Sequence, residues 1–203
     1  MGVTMENRIA VLSLSGKLPI FGLATATDNS LHVLEVVNLP NGVEELKKFL
    51  SECEKRLSSN GVMLFIDDPS GLLNDYGHRV ALAGKDDATG EQILGKSMSR
   101  YLALSSANAI SLPEGAHGFD IPNNAYNIRI RDDGQQYFNV DWPVLKDQAL
   151  LLLLMIHCGY SQTVLQASFT NQMFAELDKL NENQSESSDP LERMINAIGD
   201  YKQ

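Results

Sequence analysis

Cysteine is scarce in this sequence, which contains only Cys53 and Cys158, with no CxxC pair and no Cys/His cluster. A disulfide framework and a structural zinc site are therefore excluded, and we expect a reducing compartment. Long apolar segments are also lacking, since the longest run, ALLLLLMI at 149–156, is far shorter than the roughly 20 residues that cross a bilayer. The amino-terminal MGVTMENR has no apolar signal core, so we expect a cytoplasmic protein.

Basic residues are outnumbered: 16 lysines and arginines stand against 26 aspartates and glutamates, giving a formal net charge of −10. A chain this acidic lacks the overall attraction that nonspecific nucleic-acid binding needs. This excludes a protein that simply coats DNA, but not an enzyme whose metal ions screen its acids. The length of 203 residues and the hydrophobic fraction of 43% fit a globular protein with one sizeable core.

The first third of the chain predicts three antiparallel strands, a helix and a further strand. Turn-forming residues separate the first three strands, and VEELKKFLSECEKRLS places its apolar residues on one helical face. A helix between two strands implies a crossover, so the fourth strand should pair in parallel within the same sheet. The predicted strands are 9–15, 20–27, 31–37 and 62–66, and the predicted helix is 43–58.

The rest of the chain predicts a hairpin and several helices. In the helix predicted at 142–160, Pro143 suits the first turn and Gly159 suits the carboxyl-terminal cap, and its apolar surface predicts burial. Residues 181–189 are a polar linker, so we divide the chain into a domain at 1–180, this linker and an amphipathic tail at 190–203. The other predicted elements are helices at 88–107 and about 161–180, and hairpin strands at 126–130 and 136–141.

This order of elements is that of the ribonuclease H-like α/β fold, a mixed sheet of three antiparallel strands, a crossover helix and a parallel strand, flanked by helices. The segment from 62 to about 158 further resembles the nuclease domain of phage terminase large subunits. The motifs that carry the resemblance are FIDDPSG, SRYLALSSANAISLPEG, YNIRIRDDGQQYFNV and PVLKDQALLLLL. The resemblance implies that 1–180 is a nuclease-type domain, located in the host cytoplasm.

The resemblance also implies a metal-dependent endonuclease that cuts double-stranded phage DNA during genome packaging. Such enzymes hold two Mg²⁺ or Mn²⁺ ions with carboxylates from several elements, because these hard cations prefer oxygen ligands. Asp67 or Asp68 would supply the acid at a strand end, and Asp147 would supply the acid of the last helix. These three aspartates are the predicted catalytic and metal-binding residues.

The first strand departs from the family pattern, because IAVLSLSG has Ser13 or Ser15 where the fold carries an aspartate. A hydroxyl is a poor Mg²⁺ ligand and brings no charge. Three explanations stay open: the strand is misaligned, another acid substitutes, or the domain has lost its nuclease activity. In the last case the chain is a ribonuclease H-like module kept for protein or DNA contacts.

The candidate ligands also have simpler explanations. Asp67 and Asp68 could open a turn, since Asp-Pro and Ser-Gly are turn formers. Asp147 could instead interact favourably with the dipole of a helix amino terminus. Both interpretations of these residues stay open at the level of sequence.

Other polar residues are weaker candidates. We interpret Asp132 and Asp133 as turn residues of the hairpin. His117 could join a metal cluster or be an ordinary loop residue. Asp141 is a substitute ligand if the last predicted helix starts earlier than expected.

Partner contacts have two candidate locations. Lys85, Lys96 and Arg100 could contact phosphates, or they could form an ordinary solvated face. The amphipathic tail could dock on a partner, dock back on the domain or fray. The resemblance implies that a docked partner would be a packaging-motor or portal protein, and we expect no membrane contact.

Overall fold

The structure, a computed structural model, describes residues 7–87 and 89–162. These residues belong to one compact unit, Met1–Thr163. The predicted linker and tail, and nearly all of the helix predicted at 161–180, lie outside the described residues. Within the described ranges, no helix is long and apolar enough to span a membrane.

Eight strands and three α-helices are present in the described ranges. The strands are β1 (Asn7–Ser13), β2 (Ile20–Thr27), β3 (Ser30–Asn38), β4 (Met63–Asp67), β5 (His78–Arg79), β6 (Ile110–Ser111), β7 (Tyr126–Ile130) and β8 (Gln136–Val140). The helices are α1 (Val43–Ser59), α2 (Ile93–Ser106) and α3, which begins at 147 and continues to 162, where the description ends.

Six strands form one mixed sheet in the order β5-β4-β1-β2-β3-β6. Strands β1, β2 and β3 are antiparallel neighbours, and β4 pairs in parallel with β1, as the crossover through α1 predicts. The short strands β5 and β6 extend the two edges in parallel with β4 and β3. This order and these directions are those of the ribonuclease H-like fold, so the predicted fold class is confirmed. Strands β7 and β8 form the predicted hairpin.

Helices cover both faces of the sheet, and side chains along each strand alternate between the faces. Val11 of β1 and Phe65 of β4 pack into the core that contains buried residues of α2 and α3. Leu12 of β1 and Ile66 of β4 pack into the opposite core, which contains buried residues of α1. This alternation decides the direction in which the acids at the end of β4 point.

Helix α3 is buried, as its apolar composition predicts. Every side chain from 149 to 156 is at most 3% exposed. Burying one leucine is worth about 1.5–3 kcal/mol relative to leaving it in water, so α3 is a main source of stability. Gly22 of β2 permits the close packing, because a Cβ there would lie 1.9 Å from Cε of Met155.

The start of α2 differs from the prediction, which placed it at 88. The helix begins at Ile93, after a turn in which Gly90 adopts a left-handed φ of +67°. The backbone N–H of Ile93 donates to the carbonyl of Gly84 at 3.0 Å, which fixes the entry to the helix. The predicted boundary was wrong because the turn is stabilised by contacts with the preceding loop.

Both predicted ends of α3 also differ from the structure. Pro143 lies in a separate 3-10 turn, Trp142–Val144, and the extended backbone of Leu145 separates that turn from the helix. Gly159 lies inside α3, which continues past it, rather than at a cap. A Cβ at Gly159 would be 2.8 Å from Cβ of Ala26, so this glycine permits close packing of α3 on β2.

Candidate functional site

A buried serine–aspartate pair lies where β1 and β4 end side by side. Ser13 and Asp67 are aligned in the parallel register and are 0% and 1% exposed. The Ser13 hydroxyl donates to Oδ2 of Asp67 at 2.9 Å, and the backbone N–H of Leu82 donates to Oδ1 at 2.9 Å. Both oxygens of this buried carboxylate therefore accept hydrogen bonds, which offsets the cost of removing the charge from water.

Asp67 points to the face of the sheet that α2 and α3 cover, as the alternation after Phe65 requires. The charge of Asp67 acts on Cys158 of α3. Burial raises the pKa of the Cys158 thiol, and the Asp67 carboxylate raises that pKa further. The thiol stays protonated, so Cys158 is a core residue without nucleophilic character.

Asp68 points to the opposite face, toward the core under α1. Its Oδ1 accepts hydrogen bonds from the backbone N–H and the hydroxyl of Ser70, and its Oδ2 accepts from the N–H of Leu73 at 2.8 Å. Burial alone would raise the pKa of Asp68, but these bonds lower it more, so the pKa lies below its ordinary value. Asp68 therefore closes the turn after β4, as the turn-forming pairs Asp68-Pro69 and Ser70-Gly71 predict.

Asp147 is the first residue of α3, so it lies at the amino terminus of the helix. Its Oδ1 accepts from the N–H of Lys17 at 2.9 Å, and its Oδ2 accepts from the N–H of Leu18 at 3.2 Å. Gly16 makes room for this contact, because a Cβ there would lie 2.5 Å from Oδ1 of Asp147. The carboxylate joins the β1–β2 connection to the start of α3.

The structure brings two of the three predicted ligands to the same end of β1. Asp67 bonds to Ser13 and Asp147 bonds just beyond β1, whereas Asp68 faces away. Both oxygens of each carboxylate already accept a hydrogen bond from the protein. Among the described residues, no group of three or more His, Cys, Asp or Glu side chains could hold a metal ion. This arrangement does not fit a Mg²⁺ or Mn²⁺ centre, which needs several oxygens directed at one point.

The remaining candidate residues do not bond to the three acids. His117 is exposed in a loop, and Asp141 is exposed immediately before the 3-10 turn. Asp132 and Asp133 are exposed in the hairpin turn, where Asp133 accepts from the N–H of Gln135 at 2.9 Å. The prediction that these two aspartates are turn residues is confirmed.

A second polar group lies between α2 and α3; the sequence named its Lys96 and Arg100 as possible phosphate contacts but did not show their contacts with α3. Cζ of Arg100 lies 3.7 Å from the ring centroid of Tyr160. Burial, followed by the positive charges of Arg100 and Lys96, lowers the pKa of His157 to about 4. The spacing of Lys96 and Arg100 places both on one face of α2, but only the packing of α3 shows that this face is partly buried.

The sequence matches no protein-family model and no curated protein. Among solved structures, the chain is similar to the crystal structure of the large terminase nuclease from the thermophilic phage G20c. The two sequences are 12% identical, and the TM-score is 0.40. The similar region covers 77% of this chain and 82% of that chain.

Proposed function

We propose that this chain is a ribonuclease H-like module that works by binding rather than by cutting DNA. The hydrogen bond from Ser13 to Asp67 is the observation that carries the proposal. A two-metal nuclease needs carboxylates that converge on its ions. Here the residue beside Asp67 donates a hydrogen bond and adds no charge, so Asp67 is stabilised without a cation.

The setting we propose is genome packaging, with a packaging-motor or portal protein as the main partner and double-stranded DNA as the second. The sequence resemblance between 62 and about 158 supports this setting. A net charge of −10 opposes attraction to DNA, which favours the protein partner. A DNA contact would therefore be local and would weaken steeply as the salt concentration rises.

The test begins with supercoiled plasmid and the full chain in Mg²⁺ or Mn²⁺. We expect the plasmid to stay intact and Mn²⁺ to leave the Tm of the parent protein unchanged. Ser13→Asp places a second buried carboxylate beside Asp67, so this variant should be destabilised alone and stabilised by Mn²⁺. Asparagine is about the size of aspartate but carries no charge, so the Tm of Ser13→Asn should not respond to Mn²⁺.

A second candidate function is the metal-dependent endonuclease of the terminase type. It is favoured by the positions of Asp67, which bonds to the last residue of β1, and Asp147, which bonds to the β1–β2 connection just beyond it. In this proposal Asp67, Asp68 and Asp147 are the catalytic and metal-binding residues, and Mg²⁺ or Mn²⁺ is the cofactor. The carboxylates would have to leave their present N–H and O–H partners.

The plasmid assay separates the two candidates. Cleavage by the parent protein that is lost in Asp67→Asn and Asp147→Asn would establish the endonuclease and refute the binding module. Asp132→Asn is the matched control, because it removes the same charge from an exposed position in the hairpin turn. Cleavage that survives in all three variants would indicate a contaminating nuclease.

A further inference from the structure

Arg100 carries a partly buried charge that makes no direct ion pair with a described residue. Its guanidinium lies over the ring of Tyr160, and burial lowers its pKa more than the nearby charge of Asp86 raises it, although an arginine side chain stays protonated in proteins. Its Nη1 atom is buried and has no hydrogen-bond partner within 7–87 and 89–162. The tyrosine ring compensates part of the charge through a cation–π interaction, but it accepts no conventional hydrogen bond from this atom.

The neighbouring cations are paired. Nζ of Lys96 lies 2.9 Å from Oδ2 of Asp86, and Nη2 of Arg131 lies 2.9 Å from Oε1 of Glu91. The bond from Lys96 holds the pKa of Asp86 far below its ordinary value, so this acid is charged. Arg100 makes no ion pair with a described residue. Asp86 acts on Arg100 but is bonded to Lys96, and Nη1 of Arg100 has no acceptor among the described residues. Because a buried donor without an acceptor is unfavourable, Arg100 marks a place where a further anion would be stabilised.

A cleft of about 200 Å³ opens beside Arg100, between α2 and β8. Four side chains in its walls can donate hydrogen bonds besides Arg100: Lys96 and Ser99 from α2, and Gln136 and Tyr137 from β8. Lys96 and Arg100 are four residues apart and share one face of the helix. The remaining walls are formed by Glu91, Gly95 and Phe138.

We propose that this cleft binds a phosphate group through Arg100, with Lys96 and Ser99 as additional donors. The guanidinium of Arg100 presents a planar fork of donors, and the ammonium of Lys96 presents a point charge. The hydroxyl of Ser99 adds a hydrogen-bond donor from a third direction. Together they surround a tetrahedral anion better than a flat carboxylate. Stacking on Tyr160 fixes the plane of the guanidinium. The inference is independent of whether the module cuts DNA, because no residue of the cleft belongs to the Ser13–Asp67 pair.

The test measures the Tm of the full chain as inorganic phosphate is added, with sodium chloride at equal ionic strength as the reference. We expect a saturating rise in Tm with phosphate and none with chloride. Arg100→Gln should weaken phosphate binding by about tenfold or more. Arg79→Gln removes the same charge from exposed β5 and should bind like the parent protein.

A second arm identifies the source of the phosphate. A fluorescent DNA oligonucleotide is titrated into the parent protein and into Arg100→Gln, with inorganic phosphate as competitor. Binding that needs Arg100 and is displaced by phosphate assigns the cleft to the nucleic-acid backbone. Phosphate binding without oligonucleotide binding assigns the cleft to a small phosphorylated ligand.

Two results would overturn the proposal. One is a parent protein whose Tm responds equally to phosphate and chloride. The other is a phosphate response that Arg100→Gln retains in full. If Arg100→Gln does not fold, Lys96→Gln replaces it, since it leaves Arg100 in place and should still weaken binding severalfold; unchanged binding in that variant would also contradict the proposal.

Discussion

Replacing Ser13 with alanine tests whether the serine–aspartate pair is a structural element. The substitution removes the hydroxyl that donates to Oδ2 of Asp67 and leaves one oxygen of a carboxylate that is 1% exposed without that donor. Hydrogen bonds to charged groups contribute about 1.5–3 kcal/mol, and the lost hydroxyl leaves almost no cavity. We therefore expect the free energy of unfolding to fall by about 2 kcal/mol, or Tm to fall by about 4–8 °C.

Ser15→Ala is the matched control for this experiment. Ser15 lies two residues after Ser13, beyond the end of β1, and its buried hydroxyl has no hydrogen-bond partner among the described residues. Removing it should change the free energy of unfolding by at most about 0.5 kcal/mol. Ser13→Ala removes the bond to Asp67 and a long bond of 3.4 Å from the N–H of Ser15, whereas Ser15→Ala leaves both bonds of the Ser13 hydroxyl in place.

The assay is urea denaturation followed by circular dichroism, with the double variant Ser13→Ala/Asp67→Asn completing a mutant cycle. If the hydrogen bond is responsible, the effects of Ser13→Ala and Asp67→Asn should be non-additive by about 1 kcal/mol or more. Equal losses in Ser13→Ala and Ser15→Ala, or full additivity in the cycle, would refute the reasoning.

Two further predictions concern other parts of the molecule. Gly16→Ala should destabilise the protein by about 1–3 kcal/mol, because its Cβ would displace Asp147 from the β1–β2 connection. Gly16 is not at a positive φ, so this loss should come from the contact, whereas Gly61→Ala, at φ +66° in open space, reports the cost of backbone strain alone. Because the pKa of His157 is lowered to about 4 from 6.5, its neutral form should contribute stability above pH 6.5 that is lost as the pH falls toward 4. The loss should reach about 2 kcal/mol by pH 5, measured by urea denaturation at several pH values. His157→Gln should remove that part of the pH dependence, and an unchanged slope would contradict the assignment.

The sheet and α1 could be predicted from the sequence because their signals are local. Turn residues separate β1, β2 and β3, and the apolar spacing of α1 has a helical period. The boundaries of α3 could not be predicted in this way. Pro143 does lie in a first turn, but it is the turn of a separate 3-10 helix. Gly159 was predicted to cap α3, whereas in the structure it permits close contact with Ala26. Both depend on tertiary packing that local patterns do not contain.

The candidate site was predictable in part. The placement of Asp67 at the end of β4 follows from the apolar run before it. The separation of Asp67 and Asp68 onto opposite faces also follows from the sequence, since neighbouring residues of a strand alternate. The partners of the acids, Ser13, Ser70 and the N–H of Lys17, require the folded chain. The contact between Arg100 and Tyr160 likewise exists only once α2 and α3 pack together.

The two hydrogen bonds of Asp147 connect positions 130 and 129 residues apart, so they cannot form on the ribosome before Asp147 has been synthesised. At about 5–20 residues per second, the three-stranded meander emerges well before α3 has been translated. Until then the N–H groups of Lys17 and Leu18 remain hydrated, and the apolar face that includes Val11 has no α3 to cover it. A nascent chain that stalls before residue 147 would therefore expose this face, and it should depend on chaperones more than the finished protein does.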